Sequence, residues 1–211
     1  NLFMVDSFVR DHGGRFVSTA HESGAVLMAI GHASVLGRVG VATVTLGPGV
    51  SNTVSALVEG VRGNTPLVLL TGDVGDEERD EISRLPQREF VTVTGAGFEQ
   101  IRSPATVAED VATAFWRAQV ERRPIALNMR RDFQWADVEY RRLVRGVPDA
   151  RAVVPASADL DDAIGIVASA KRPLVLAGRG AMNACARAAV LKFAARIEAP
   201  VATTMKAKDL F

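Results

Sequence analysis

The run Val39-Gly40-Val41-Ala42-Thr43-Val44-Thr45 is short, apolar and β-branched. It stops at Gly47-Pro48-Gly49, after which helical spacing takes over from Val50 to Arg62. This succession constrains the fold more than anything else in the chain. A β-branched run without polar alternation suits a strand covered on both faces, and a glycine–proline turn leading straight into a helix makes a βα unit. The pattern recurs. Leu67 to Thr71 is a second buried strand, entered through Pro66 and closed by Gly72, while Pro104 to Arg122 reads as a long helix with the strand Pro124 to Met129 behind it. Upstream, Arg15 to Thr19 reads as a strand and Glu22 to Leu36 as a helix with small residues on one side. Strands alternating with helices predict an α/β fold, a parallel sheet flanked by helices and joined by right-handed crossovers.

The pattern lapses near Trp135. Residues 137–157 are rich in Arg, Pro, Val and Asp without a sustained period and read as a linker, with Arg141, Arg142 and Arg145 as solubilising side chains. It then restarts: a helix from Ala158 to Ser169 capped by Ser157, a strand from Pro173 to Ala177, a helix from Ala184 to Ile197 and a strand from Val201 to Thr204. The expected organisation is one domain over 1–136 and the first part of a second, Rossmann-like α/β domain over 158–211. Two strands leave little core and a long unpaired edge, so this second domain is expected to be cut short at Phe211. At the other end, residues 1–10 are expected to start directly in a helix.

With 25 basic and 24 acidic side chains the net charge is +1, so no global field steers nucleic acid or an anionic membrane to the protein. The single cysteine, Cys185, excludes an internal disulfide and favours a reducing compartment. No uncharged apolar run approaches the roughly 20 residues that span a bilayer, and no basic-then-apolar leader opens the chain. A cytoplasmic location is expected.

In a parallel α/β sheet, ligands bind at the carboxyl ends of the strands. The turns His21-Glu22-Ser23-Gly24-Ala25 and Leu46-Gly47-Pro48-Gly49-Val50-Ser51-Asn52 both fall on that edge. Glu22 is thus a carboxylate beside glycines that let a ring or backbone come close. Plainer readings stand beside this one: a first-turn glutamate compensates the helix dipole, and Gly-Pro-Gly makes a turn. His21 lacks the second histidine of a zinc-binding helix and reads as structural; His12 and His32 have no paired ligand spacing, so no metal site is expected. Cys185, on an alanine-rich helix, reads as a small buried hydrophobe. Asp73, Asp76, Glu77, Glu78, Asp80 and Glu81, interspersed with Arg79 and Arg84, read as a solvated loop. Gly178-Arg179-Gly180-Ala181-Met182-Asn183 falls one glycine short of the dinucleotide fingerprint.

The ordered set His21-Glu22, the small-residue helix Ala29 to Gly37, Thr45-Leu46-Gly47-Pro48-Gly49-Val50-Ser51-Asn52, and Thr65-Pro66-Leu67-Val68 with Thr71-Gly72 resembles the thiamine diphosphate-dependent 2-oxoacid enzymes of the acetolactate synthase and pyruvate decarboxylase superfamily. Lys171-Arg172-Pro173, Ala177-Gly178-Arg179-Gly180 and Pro200-Val201-Ala202-Thr203-Thr204 resemble that superfamily's central domain. The resemblance implies that 1–136 is the pyrimidine-binding domain and 158–211 the start of the central domain. It also implies that Glu22 is the catalytic carboxylate, which hydrogen-bonds N1′ of the cofactor's aminopyrimidine. Apolar helix around such a carboxyl is expected to raise its pKa. Thr45, Gly47, Pro48, Gly49 and Asn52 are implied to line or shape the pyrimidine pocket. Gln87, in Leu85-Pro86-Gln87-Arg88-Glu89, lies near where relatives carry a substrate-facing glutamine.

The implied function is thiamine diphosphate-dependent decarboxylation or carboligation of a small 2-oxoacid, acetolactate synthase-like, in a homodimer or homotetramer. The family's Mg²⁺ ligands, Gly-Asp-Gly and a following Asn, belong to a diphosphate-binding domain that this sequence does not contain, so the chain on its own is expected to be inactive. Its central domain sometimes holds FAD or an adenine nucleotide and often holds nothing. The stretch Phe90 to Ile101 lacks the Pro-x-Thr-Lys of acetolactate synthases, which departs from the branched-chain biosynthetic enzyme. Two rival readings stay open: a non-catalytic assembly module with the same fold, and a nucleotide-binding α/β protein built around Gly178 to Asn183. Glu22 argues against the first, because an assembly module has no need of a carboxyl at that point.

Overall fold

The first βα unit packs as its small residues demand. In the computed structural model, which describes residues 2–75, 81–139, 143, 146, 155–182 and 184–211, α2 (Glu22–Leu36) turns Val26, Ala29, Ile30 and Ala33 to the core, the spacing of one helical face. It lies so close to β1 (Gly40–Val44) that a Cβ on Gly40 would sit 2.3 Å from the Ala29 carbonyl oxygen. Gly37 ends the helix in the left-handed conformation, its N–H donating to Ala33, the usual glycine stop.

The chain divides into two compact units, 1–149 and 150–211. In the first, β1, β2 (Leu67–Asp73), β3 (Gly97–Gln100) and β4 (Pro124–Arg130) form a parallel sheet in the order β1-β2-β4-β3. The central strands β2 and β4 are the most apolar, and Leu67, Leu69, Ile125 and Leu127 are essentially inaccessible to solvent. Burial of each such side chain contributes about 1.5–3 kcal/mol relative to exposure. Helices α4 (Val54–Arg62) and α6 (Val107–Glu121) close over the sheet through Ala56 and Leu57, and through Ala114 and Ala118. Outside these lie α1 (Leu2–Arg10), whose Phe3 ring meets Trp135 edge-on at 4.5 Å, the short α3 (Pro48–Ser51) and α5 (Gln87–Thr92).

The second unit pairs β5 (Val175–Ala177) with β6 (Val201–Thr203) in parallel, flanked by α7 (Ser157–Ser169) and α8 (Ala184–Arg196). Its buried core is small: Ala177, Ala207 and Leu210, with Ala181 and Val190 against them.

Several expectations are corrected. Arg15 to Thr19 forms no strand; among the described residues nothing pairs with it. The helical stretch from Val50 breaks into α3 and α4, because Thr53 turns its hydroxyl onto the Val50 carbonyl at 2.7 Å. Strand β3 was not anticipated; it is held by Arg117, which donates to the Phe98 carbonyl and to Glu99. Ser157 is the first residue of α7 and not its cap, a position held by Ala156 without a side-chain bond. Cys185 is exposed, since the small second unit does not cover that side of α8. Arg141, Arg142 and Arg145 lie outside the described residues.

Candidate functional site

Two helix starts meet at the carboxyl end of β1. His21 has extended backbone and caps α2, its Nδ1 accepting from the Ser23 N–H at 3.1 Å, as an N-cap side chain does. That role is structural, as its sequence context suggests. The cap sets Glu22 as the first residue of α2, half-buried. Asn52, which ends α3, donates from Nδ2 to Glu22 Oε2 at 3.1 Å. The Ser23 hydroxyl in turn donates to the Asn52 carbonyl. Residues from the two motifs, 30 positions apart, are thereby tied into one site.

The turn between them is built around Gly47, whose φ of 63° and ψ of −111° only glycine adopts readily. A Cβ there would also lie 2.0 Å from the Ser83 carbonyl oxygen. Pro48 then occupies the first position of α3 and is exposed, as is Thr45 just after β1. Gly49 is buried inside α3, and a Cβ on it would come within 2.7 Å of Thr45 Cγ2. Glu22, Thr45, Gly47, Pro48, Gly49 and Asn52 therefore share one sheet edge.

The Glu22 carboxyl is held below the ordinary carboxylate range, first by its own backbone N–H and then by the Asn52 amide. This corrects the expected upward shift: a half-buried carboxyl at a helix start with two donors favours its charged form. As an ionised acceptor on an accessible edge, it fits a ring nitrogen of an aminopyrimidine that carries the shared proton and donates it. Among the described residues no three His, Cys, Asp or Glu converge to hold a metal ion.

Gln87 lies beneath the turn. It is 4% exposed, its Oε1 accepts from the Gly47 N–H at 2.7 Å, and its Nε2 donates to the Gly72 carbonyl and to Asn128 Oδ1, both at 2.9 Å. Asn128 and Gln100, which sequence reasoning did not single out, stand side by side on β4 and β3. The signal was available in Asn128, an amide ending the apolar run Ile125-Ala126-Leu127. Asp73, at the end of β2, accepts from Asn128 and is not a freely solvated member of the acidic run. Glu81 is also half-buried and pairs with Arg131 at 3.6 Å; residues 76–80 lie outside the described residues. In the second unit, Arg179–Ala181 makes one 3₁₀ turn after β5, and Asn183 lies outside the described residues.

Two family models match the chain. The model for the thiamine pyrophosphate enzyme N-terminal TPP binding domain matches residues 1–96, and the model for the thiamine pyrophosphate enzyme central domain matches residues 160–211. A sulfoacetaldehyde acetyltransferase from Alcaligenes xylosoxydans xylosoxydans is 32% identical over 94% of this chain and 33% of its own length. An acetolactate synthase large subunit from Corynebacterium glutamicum is 30% identical over 93% of this chain and 32% of its own. A probable 2-ketoarginine decarboxylase from Pseudomonas aeruginosa is 30% identical over 94% and 36%, respectively. The chain spans about a third of the length of the curated relatives it matches.

Proposed function

This chain belongs to the thiamine pyrophosphate enzymes, and we propose that within them it supplies the pyrimidine side of a site for decarboxylation or carboligation of a small 2-oxoacid. The observation that carries the reading is the 3.1 Å bond from Asn52 to Glu22, which brings both motifs to one edge. In this reading residues 1–136 are the pyrimidine-binding domain, 137–157 a linker and 158–211 part of the central domain. Thiamine diphosphate, when bound, supplies the electron sink for carbon–carbon bond cleavage beside a carbonyl.

The chain's own part is to bind and orient. Glu22 presents an ionised carboxylate that would accept from the protonated pyrimidine N1′ and share that proton with it. Asn52 holds that carboxylate in place, and the turn at Gly47 to Gly49 keeps side chains away from the ring. A Mg²⁺–diphosphate anchor would come from residues other than these. Leu27, Met28, Val35 and Leu36 on α2 are exposed, Val35 to 83%; apolar surface of this kind supports a homo-oligomer. Among the described residues no helix is long and apolar enough to cross a membrane, and a cytoplasmic location is part of the proposal.

The test is carbon dioxide release from 2-oxoacids by the complete polypeptide with thiamine diphosphate and Mg²⁺, comparing wild type with Glu22→Gln. An amide cannot share a proton with a ring nitrogen as a carboxylate does, so kcat should fall by about 10²-fold or more while the urea midpoint stays put. Near-normal turnover in the variant would sink the assignment.

A further inference from the structure

We infer that Gln87 is the positioning residue of the Gly-Pro-Gly turn, and that Asn128 braces its amide in the orientation the turn requires. The inference rests on the reading of this edge as the pyrimidine site, and goes beyond it by giving a role to buried groups that do not touch the open side.

The Gly47 N–H can only donate and the Gly72 carbonyl can only accept, so Gln87 must turn Oε1 to the first and Nε2 to the second, as it does at 2.7 and 2.9 Å. Asn128 receives its orientation from the opposite end. Its Nδ2 donates to Asp73 Oδ2 at 2.6 Å and to Gln100 Oε1 at 2.8 Å. Asp73 Oδ1 meanwhile accepts from the Val74 N–H at 2.8 Å. Gln100 cannot turn round, because its own Nε2 donates to the Asn128 carbonyl at 3.2 Å. With Nδ2 so committed, Asn128 Oδ1 must face Gln87. The two independently oriented amides agree at their junction, Nε2 to Oδ1 at 2.9 Å.

Both hydrogens of the Gln87 amide are thereby used, and Gln87 and Asn128 are 4% and 1% exposed. A buried network with every group satisfied is rigid, and one lost partner leaves an unpaired polar atom. The chain of bonds runs from the ends of β2, β3 and β4 through Gln87 to Gly47. From the Gly47 carbonyl it passes to the Ser51 N–H, and from the neighbouring Asn52 to Glu22. Gln87 thus acts on the site through the turn: it holds Gly47 in its glycine-only conformation and so sets Pro48 to Asn52 opposite Glu22.

The test uses the ¹⁵N-labelled complete polypeptide with thiamine diphosphate and Mg²⁺ as the probe. Gln87→Met keeps the volume and removes the bonds. The Gly47 amide should exchange about five- to tenfold faster, the size of one buried hydrogen bond, while the Val68 and Leu69 amides in the core do not change. The Kd for thiamine diphosphate, followed through the Asn52 side-chain amide, should rise by about the same factor. Asn128→Leu, which keeps the volume and removes the acceptor for Gln87 without adding a charge beside Asp73, should accelerate Gly47 exchange to a smaller degree. Unchanged Gly47 exchange in Gln87→Met, or equal acceleration across the core, overturns the inference. Faster exchange with an unaltered Kd overturns the positioning role, and no response to Asn128→Leu overturns the bracing role of Asn128. Absence of any thiamine diphosphate shift in the wild type refutes the proposed function instead, and Gly47 exchange still decides whether Gln87 holds the turn.

Discussion

Gly47→Ala tests whether the turn is conformationally obligatory. Two costs add at this position. The backbone at φ 63°, ψ −111° is one that an L-residue occupies at an expense of about 1–3 kcal/mol. The new methyl would also lie 2.0 Å from the Ser83 carbonyl oxygen, a backbone atom that cannot swing away as a side chain can, so the loop must shift at a further 1–3 kcal/mol or so. The sum, about 2–6 kcal/mol, is a large share of the roughly 5–15 kcal/mol stability of an ordinary domain. Gly49→Ala is the control. Gly49 has no positive φ, and the one tight contact of its methyl would be Thr45 Cγ2 at 2.7 Å, on an exposed residue that can rotate, so about 1 kcal/mol or less is expected. Urea titration followed by tryptophan fluorescence reads the relevant unit, because Trp116 and Trp135 both lie in residues 1–149. The midpoint should fall sharply for Gly47→Ala and little for Gly49→Ala, with unchanged m-values. Equal losses would show that the Gly47 backbone adds no cost of its own, and a Gly47→Ala loss below about 0.5 kcal/mol would lie under the smallest backbone cost in play; either result would refute the reasoning.

Two further outcomes follow from groups away from the site. Arg122 ends α6 with φ 49°, so Arg122→Gly should raise stability by about 0.5–1 kcal/mol in the same titration; a loss would show that the arginine side chain matters more than its backbone. Asp110 is pushed upward by burial, yet the bonds it accepts from the Arg102 backbone, Thr106 and the Arg102 guanidinium outweigh this and hold its carboxyl below the ordinary range. Its folded value is thus below its unfolded value of about 3.9, so its contribution is present above that pH and disappears as pH falls through the folded value. Asp110→Asn should cost about 1.5–3 kcal/mol at pH 7, and a gap that did not narrow below about pH 4 would contradict the linkage.

Much of the first unit was legible in the chain because its signals are local. The β-branched run at Val39 to Thr45 and the apolar run after Pro66 became β1 and β2, and the helices after Glu22 and Pro104 formed nearly where their periods placed them. Arg15 to Thr19 reads as a strand from its local residue types, but a strand also needs a partner, and none among the described residues supplies one. β3 was missed for the converse reason. Gly97, Glu99 and Gln100 carry no strand pattern, and the segment is extended because β4 offers its free edge and Arg117 ties it down.

At the site the same division holds. The sequence alone determined that the Gly-Pro-Gly turn lies at the carboxyl end of β1, since the order of βα units dictates where such turns fall, whereas Glu22 follows no strand and reaches that edge only through tertiary contacts. Only the tertiary structure decided that Asn52 bonds Glu22, that the carboxyl is driven toward its charged form, and that Gln87 lies under Gly47 and is braced by Asn128. Those outcomes depend on distances of about 3 Å between groups 30 to 41 residues apart. Hydrogen bonding and desolvation change steeply over an ångström, and no local pattern of residues encodes separations that fine.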